Sequence, residues 1–431
     1  MAGSRLSSAT SSVSVPVRGA FLLLAVSNLF VGLVVGTERT LVPLLGVQVF
    51  GLASAVAALS FIATFGVTKA LANLFSGAFR GSRRTQILIV GWVLGLPVSL
   101  LIMFAPSTDW WIVLLANVLL GVNQGLCWSS TVMMMIDQMP PARRGFAAGV
   151  NEFAGYGGVA IAAFATGWLA AGFGLRQVPF LLGFVADIVG LGLALRLARN
   201  LAAVPTPTGG TSFSLRVDRS LARFTWRERA LLPFHQAGLA TNLKDGIAWG
   251  LFPLLFAARG VSLPEIGVLV AAYPATWGMV QLGTGPLSDR IGRGLPITVG
   301  MALQAAALVG VALGSGFTQW LLAMVVLGLG TALVYPTLQA AVADTVPSRD
   351  RDGALATYRF WRDMGFVVGA LGGGILADWL GLPETILATA VIAVSAGVVV
   401  GAASRGPFRA SRGAAFRPLS DARTPAQSGA K

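Results

Sequence analysis

The second half of this 431-residue chain repeats its first. Leu120 to Pro140 reads LGVNQGLCWSSTVMMMIDQMP, and Leu327 to Pro347 reads LGLGTALVYPTLQAAVADTVP. The two align without a gap, pairing Gly121 with Gly328, Asp137 with Asp344 and Pro140 with Pro347 (347 − 140 = 207). A second pair agrees: Gly36 to Pro43, GTERTLVP, answers Gly246 to Pro253, GIAWGLFP, with the same spacing of glycine and proline. Both pairs lie in apolar runs long enough to cross a bilayer. Such halves face each other around one central path, the architecture of secondary transporters.

Composition places the chain in lipid. It is 55% hydrophobic and 11% charged, against about 25% charged in soluble domains. Apolar runs fall at 20–48, 53–79, 85–105, 111–136, 146–170, 177–198, 231–257, 264–286, 295–316, 320–343, 354–377 and 384–403. Most exceed the roughly 20 residues that span a hydrocarbon core. They predict an all-α membrane protein of twelve transmembrane helices, numbered 1 to 12, in two pseudo-symmetric six-helix halves, 19–199 and 231–404. The Ser-rich start (1–18), the linker (200–230, with PTPTGGTSFS and a basic stretch near Arg223) and the tail (405–431) have no apolar period and are expected to be disordered. The first apolar run is too long for a cleavable signal peptide.

Lys and Arg in the loops set orientation. One side carries Arg5, Arg18, Arg80, Arg83, Arg84, Arg143, Arg144, the cluster from Arg216 to Arg229, Arg290, Arg293, Arg349, Arg351 and the tail, whereas the other has Arg176 and Arg259. Both termini are therefore expected in the cytoplasm, in a multi-pass protein of a bacterial-type inner (plasma) membrane. The net charge of +14 is largely this topology signal, and no nucleic-acid partner is expected from cations dispersed over short loops. Cys127 is the only cysteine, which excludes an intramolecular disulfide.

Between helices 8 and 9 stands Gly285-Pro-Leu-Ser-Asp289-Arg290-Ile-Gly292-Arg293, which resembles the G-x-x-x-D-R-x-G-R signature of the major facilitator superfamily. The pattern is closest to bacterial drug/proton antiporter-like members. The matching loop between helices 2 and 3 keeps Gly77, Arg80, Arg83 and Arg84, but Gly81 replaces the acid and the loop is about two residues short. The resemblance implies that Asp289 docks on the start of helix 5, near Gly145, when the cytoplasmic gate is shut. An acid gains there from the helix dipole, and arginine holds it in a charged pair. Its twin latch onto helix 11 lacks its carboxylate. Efflux members usually carry G-x-x-x-G-P-x-x-G-G in helix 5; this chain has Gly149, Gly155, Gly157 and Gly158 there, without the proline.

Charges inside a membrane are costly and are functional or paired. Glu38, Glu152, Asp187, Asp245 and Asp363 qualify, as do Arg39, Lys69, Lys244, Arg359 and Arg362. Lys69 and Asp363 lie at similar depth, ~15–16 Å, on helices 2 and 11, which are neighbours in the resembled fold, so they are expected to form a buried ion pair. Glu152 is expected opposite Gln281 without a base, leaving it free to take a proton; Asp245 and Glu38 are the other proton-coupling candidates. The cavity in that fold is lined by helices 1, 4, 7 and 10. Cavity candidates are Arg39, Asn123, Gln124, Trp128, Trp249, Tyr335 and Gln339, with Arg359 and Arg362 from helix 11. An unpaired acid would suit a cationic drug, whereas Arg39 with Arg359 or Arg362 would hold a carboxylate or phosphate.

The expected function is proton-coupled secondary transport of a small solute by alternating access, with export ahead of uptake or exchange of an organic anion. The protein is expected to work as a monomer with the solute, protons and the bilayer as its partners. A transport-dead sensor or scaffold is the alternative of another class. One histidine, His235, with no G-x-S-x-G elbow and no metal-spaced His/Cys cluster, argues against an enzyme, and no cofactor or metal is expected. An ATP-driven pump lacks its G-x-x-x-x-G-K-[ST] loop.

Overall fold

The computed structural model describes residues 15–76, 83–140, 143–202 and 221–405. Twelve long α-helices account for almost all of them: α1 Val15–Gln48, α2 Ala55–Ser76, α3 Arg83–Phe104, α4 Trp110–Asp137, α5 Arg144–Phe173 and α6 Gln177–Ala202 in one half. The other half holds α7 Leu232–Ala258, α8 Leu263–Ile291, α9 Gly294–Leu313, α10 Phe317–Thr345, α11 Arg351–Leu380 and α12 Leu382–Arg405. No strand occurs among the described residues. A chain in lipid must satisfy its backbone groups within each segment, and helices do so. Eleven of the twelve are apolar enough to cross a membrane on length and composition. The twelfth, α7, carries Asn242, Lys244 and Asp245, all buried by neighbouring helices and so kept from lipid.

The halves are built alike. In the first, α5 packs on α1, α4 on α2 and α3, and α6 on α1 and α3; in the second, α11 packs on α7, α10 on α8 and α9, and α12 on α7 and α9. Close approach depends on glycine. A side chain at Gly158 would collide with the carbonyl of Leu29 on α1, and one at Gly365 with that of Leu239 on α7. Helices α5 and α11 also end alike, on Gly174 (φ 84°) and Gly381 (φ 100°), a left-handed backbone that side chains disfavour. Asp137 pairs with Arg84 and its repeat-mate Asp344 with Arg293 (2.9 Å), so each half carries one such clasp at its arginine-rich end.

Between the halves, α2 lies along α11 and α5 along α8. At the ends away from the arginine-rich loops both seams are tight. A side chain at Gly167 would run into the backbone of Leu263 and Gly267, and one at Gly374 into that of Val56. Asp378 near the end of α11 caps the start of α2, accepting from Ser54 Oγ (2.6 Å), Ala55 N (2.5 Å) and Val56 N (3.3 Å). Towards the arginine-rich end of the α5–α8 seam, a side chain at Gly145, Gly283 or Gly285 would meet nothing within 4 Å, and one at Gly149 only a methyl of Leu282 at 3.5 Å.

The loop containing Gly77, Arg80 and Gly81, most of the 200–230 linker, most of the N-terminal 1–18 stretch and the 406–431 tail lie outside the described residues. The end of the linker is described as two short turns, Arg223–Arg227 and Arg229–Leu231. Arg223 bonds to Asp350 (3.1 Å) and Glu228 (3.4 Å), which hold its guanidinium above its ordinary pKa, and Trp361 donates to Thr225 (2.9 Å).

Candidate functional site

A cavity lies where α2, α4 and α5 face α10 and α11. Its first wall carries Lys69, Asn73, Gln124, Trp128, Ser129, Val132, Glu152 and Tyr156; its second carries Tyr335, Gln339, Arg359 and Arg362. Six of these form three repeat-mate pairs at the offset of 207: Trp128 with Tyr335, Val132 with Gln339, and Glu152 with Arg359 (359 − 152 = 207).

Glu152 Oε1 accepts from the Trp128 indole at 2.7 Å. Among the described residues it forms no ion pair, although Arg359, Arg362 and Lys69 all act on it electrostatically. It lines the cavity, and Gln281 is not part of that lining. Arg362 is tied down: its Nε and Nη2 donate to Asp363 Oδ1 at 3.0 and 2.8 Å, and its face lies 4.7 Å from the Tyr335 ring centroid. Asp363 also accepts from Asn73 across the halves (2.5 Å) and from Asn242 (3.3 Å). The expected Lys69–Asp363 ion pair is therefore corrected. The adjacent Arg362 takes the carboxylate, because its guanidinium reaches from the same helix while Lys69 is drawn over aromatic rings. The Lys69 ammonium sits 5.0 Å from the centroid of Phe366 and 5.4 Å from that of Phe65.

A layer of aromatic side chains roofs the cavity. Tyr156 stacks on Trp277 (3.6 Å), Trp277 on Tyr273 (5.7 Å), and Trp249 on Phe366 (4.8 Å). Arg39 is buried within this layer, its guanidinium 4.0 Å from the centroid of Trp249 and 4.7 Å from that of Phe65. Neither Arg39 nor Trp249 lines the cavity, a correction with a packing cause: each stacks on the other. Asp245 is also removed from the cavity. Lys244 Nζ (2.6 Å) and Tyr273 Oη (2.5 Å) donate to its Oδ1, and Lys244 reaches Thr331 (3.0 Å), a buried network away from the cavity lining.

Asn123 turns towards α3, donating to the Gly91 carbonyl (2.8 Å) and sharing with Asp187 the space over Gly95, whereas the adjacent Gln124 faces the cavity. Glu38 is buried beside Asn117, off the lining. Trp128, Tyr335, Gln339, Arg359 and Arg362 do line it. Sequence reasoning missed Tyr156 and Asn73. Both were within reach, since Tyr156 is one helical turn from Glu152 and Asn73 one turn from Lys69.

In the gate motif, Asp289 Oδ1 pairs with Arg293 Nη1 (2.6 Å) and is mostly exposed. Arg293 also donates to Ser288 (2.5 Å) and Asp344, while Arg290 is exposed. Gly292 ends α8 with φ 89°, which explains a glycine there. Among the described residues the start of α5 receives no hydrogen bond or ion pair from Asp289, which pairs with Arg293 instead, so the latch implied by the resemblance is not formed here.

A central cavity between two duplicated helical halves, sealed at one end, defines a membrane transporter. The sequence profile of the Major Facilitator Superfamily matches residues 20–243 and 237–426, and the chain belongs to that family. It is 26% identical over 133 residues to the quinolone resistance protein NorA of Staphylococcus aureus, covering 31% of this chain and only 34% of that relative. Over a longer span it is 23% identical to the multidrug resistance protein MdtG of Salmonella paratyphi C, across 79% of this chain and 82% of the relative. Among solved structures it resembles a POT family transporter in complex with 5-aminolevulinic acid, with TM-score 0.72 and 13% identity over 89% of this chain and 95% of that one.

Proposed function

We propose that the protein is a proton-coupled secondary transporter of a small solute, working by alternating access, with the cavity as its solute site and Glu152 as its proton carrier. The observation that carries this reading is Glu152 itself: an acid on the cavity wall, held by one indole and by no ion pair among the described residues. A carboxylate without a fixed cation can exchange its proton as the cavity changes face. The loop charges support the arginine-rich side as the cytoplasmic one, with both termini inside and the protein in a plasma membrane. The resistance proteins among its relatives support export as the direction.

A second reading, cotransport or exchange of an organic anion with protons, is favoured by one observation. Lys69 and Arg359 line the cavity with no carboxylate bound to either among the described residues.

The test is flux in proteoliposomes under an imposed pH gradient, in both orientations of the gradient. Wild-type protein should accumulate solute only when the gradient is present, and Glu152→Gln should lose gradient-driven accumulation while keeping solute exchange. Unchanged accumulation in that variant removes Glu152 as the carrier.

A further inference from the structure

We propose that the cavity selects a small aromatic monoanion, holds its carboxylate between Lys69 and Arg359, and binds it together with a proton on Glu152. This rests on the second reading above and narrows it to a substrate class and a sign of coupling.

The charges on the lining do not balance. Arg362 is committed to Asp363 and to the Tyr335 face. Lys69 has ring faces for neighbours and, among the described residues, no hydrogen bond or ion pair. Arg359 makes one long hydrogen bond, 3.4 Å to Gln339 Oε1. Two cations, one from each half, thus stand against a single cavity acid. An unbalanced charge in a site enclosed by protein is unfavourable, and an incoming anion offsets it. Arginine accepts a carboxylate through two parallel donors, with lysine as a point charge beside it. An anion held this way bridges the two halves.

The rest of the lining describes the body of the ligand. Trp128 and Tyr156 meet edge-on with centroids 5.2 Å apart, and Tyr156 and Tyr335 do so at 6.4 Å. Such a surround favours a flat ring, which can stack or meet an edge.

Glu152 supplies the coupling. It is faced by Lys69 of α2, Trp128 of α4, Tyr156 of its own helix, Tyr335 of α10, and Arg359 and Arg362 of α11; no residue of α1 or α8 lines the cavity. When ionised, Glu152 draws on Lys69 and Arg359 and repels a second carboxylate. When protonated, it leaves both cations to the substrate. Each ligand therefore raises the affinity of the other by the same factor. A monoanion bound here travels with its proton, not against it.

The experiment is equilibrium binding to the purified full chain in nanodiscs, using indole-3-acetate, its neutral amide indole-3-acetamide, and the cation tryptamine. The acetate is expected to bind at least tenfold more tightly than the other two, and to tighten about tenfold or more between pH 8 and pH 6. Lys69→Gln and Arg359→Gln should each weaken it at least tenfold, and Glu152→Gln should bind it tightly with no pH dependence. Preference for tryptamine, binding of none of the three, or acetate binding that weakens on acidification overturns the proposal. The ligand panel on wild-type protein decides the charge preference even if a variant fails to fold. Because no gradient is involved, such a failure leaves the proton-driven flux of the preceding subsection to stand or fall on its own measurement.

Discussion

Glu152 and Arg359 occupy the same position in the two repeats and line one cavity with opposite charge. Trp128 and Tyr335, also repeat-mates, remain aromatic on both walls. Duplication has preserved where side chains point while the chemistry of the two walls has diverged. The proposed charge preference of the cavity rests on this asymmetry.

Exchanging the two charges tests whether they sense each other. Glu152→Arg leaves four cations and no acid on the lining, and Arg359→Glu pushes the balance the other way. Each single variant should lower the melting temperature, and the double exchange should recover most of the loss. A double-mutant cycle should give an interaction of roughly 0.5–3 kcal/mol; purely additive effects would show the groups to be independent.

The bond between Arg362 and Asp363 leads to an unequal pair of outcomes. Asp363→Ala strands a buried guanidinium and should cost on the order of 3–5 kcal/mol. Lys69→Ala removes a cation with no ion pair and should cost clearly less, with solute binding lost more than stability. Equal losses in unfolding measurements would return Lys69 to a structural role beside Asp363.

Helix contact at Gly158 gives a test with an internal control. Gly158→Val forces a side chain against the Leu29 carbonyl, whereas Gly157→Ala enters open space. The first should sharply reduce the folded fraction in gel filtration, by roughly 1–3 kcal/mol of overpacking or more, and the second should behave as wild type.

Much of this was legible in the sequence, for identifiable reasons. Helix count, the repeat and the neighbouring of α2 with α11 follow from apolar length and from the resemblance carried by Gly285 to Arg293. Depth was also readable, and it put Lys69 and Asp363 at one level. What depth leaves open is rotation about the helix axis, where one residue turns a side chain by about 100°. Asn123 and Gln124 are adjacent, yet one faces α3 and the other the cavity. Partner choice was equally hidden, because Asp245 and Asp363 each found a cation next to them in sequence.

At the sealed end, Asp378 joins α11 to the start of α2 through one carboxylate. Asp378→Asn keeps the shape and removes the charge that favours a helix N-terminus, worth about 1 kcal/mol or roughly a fivefold shift in population. In a Cys127→Ala background, Leu59→Cys should then be labelled faster by an impermeant thiol reagent added from that side. Identical labelling with and without the Asp378 change would show that glycine packing alone keeps the end shut.

The aromatic roof over the cavity has an electrical meaning. Tyr156 stacks on Trp277 and Trp249 on Phe366, with the Arg39 guanidinium held against Trp249, so the layer is built largely of rings. The membrane voltage falls mainly across such an insulating layer, where each elementary charge moved costs or gains about 2.3 kcal/mol per 100 mV. A lone anion carried past the roof would feel nearly all of that voltage. In the proposed symport the anion and the proton on Glu152 together carry no net charge, so their joint passage is expected to be silent to voltage and to answer to the pH difference.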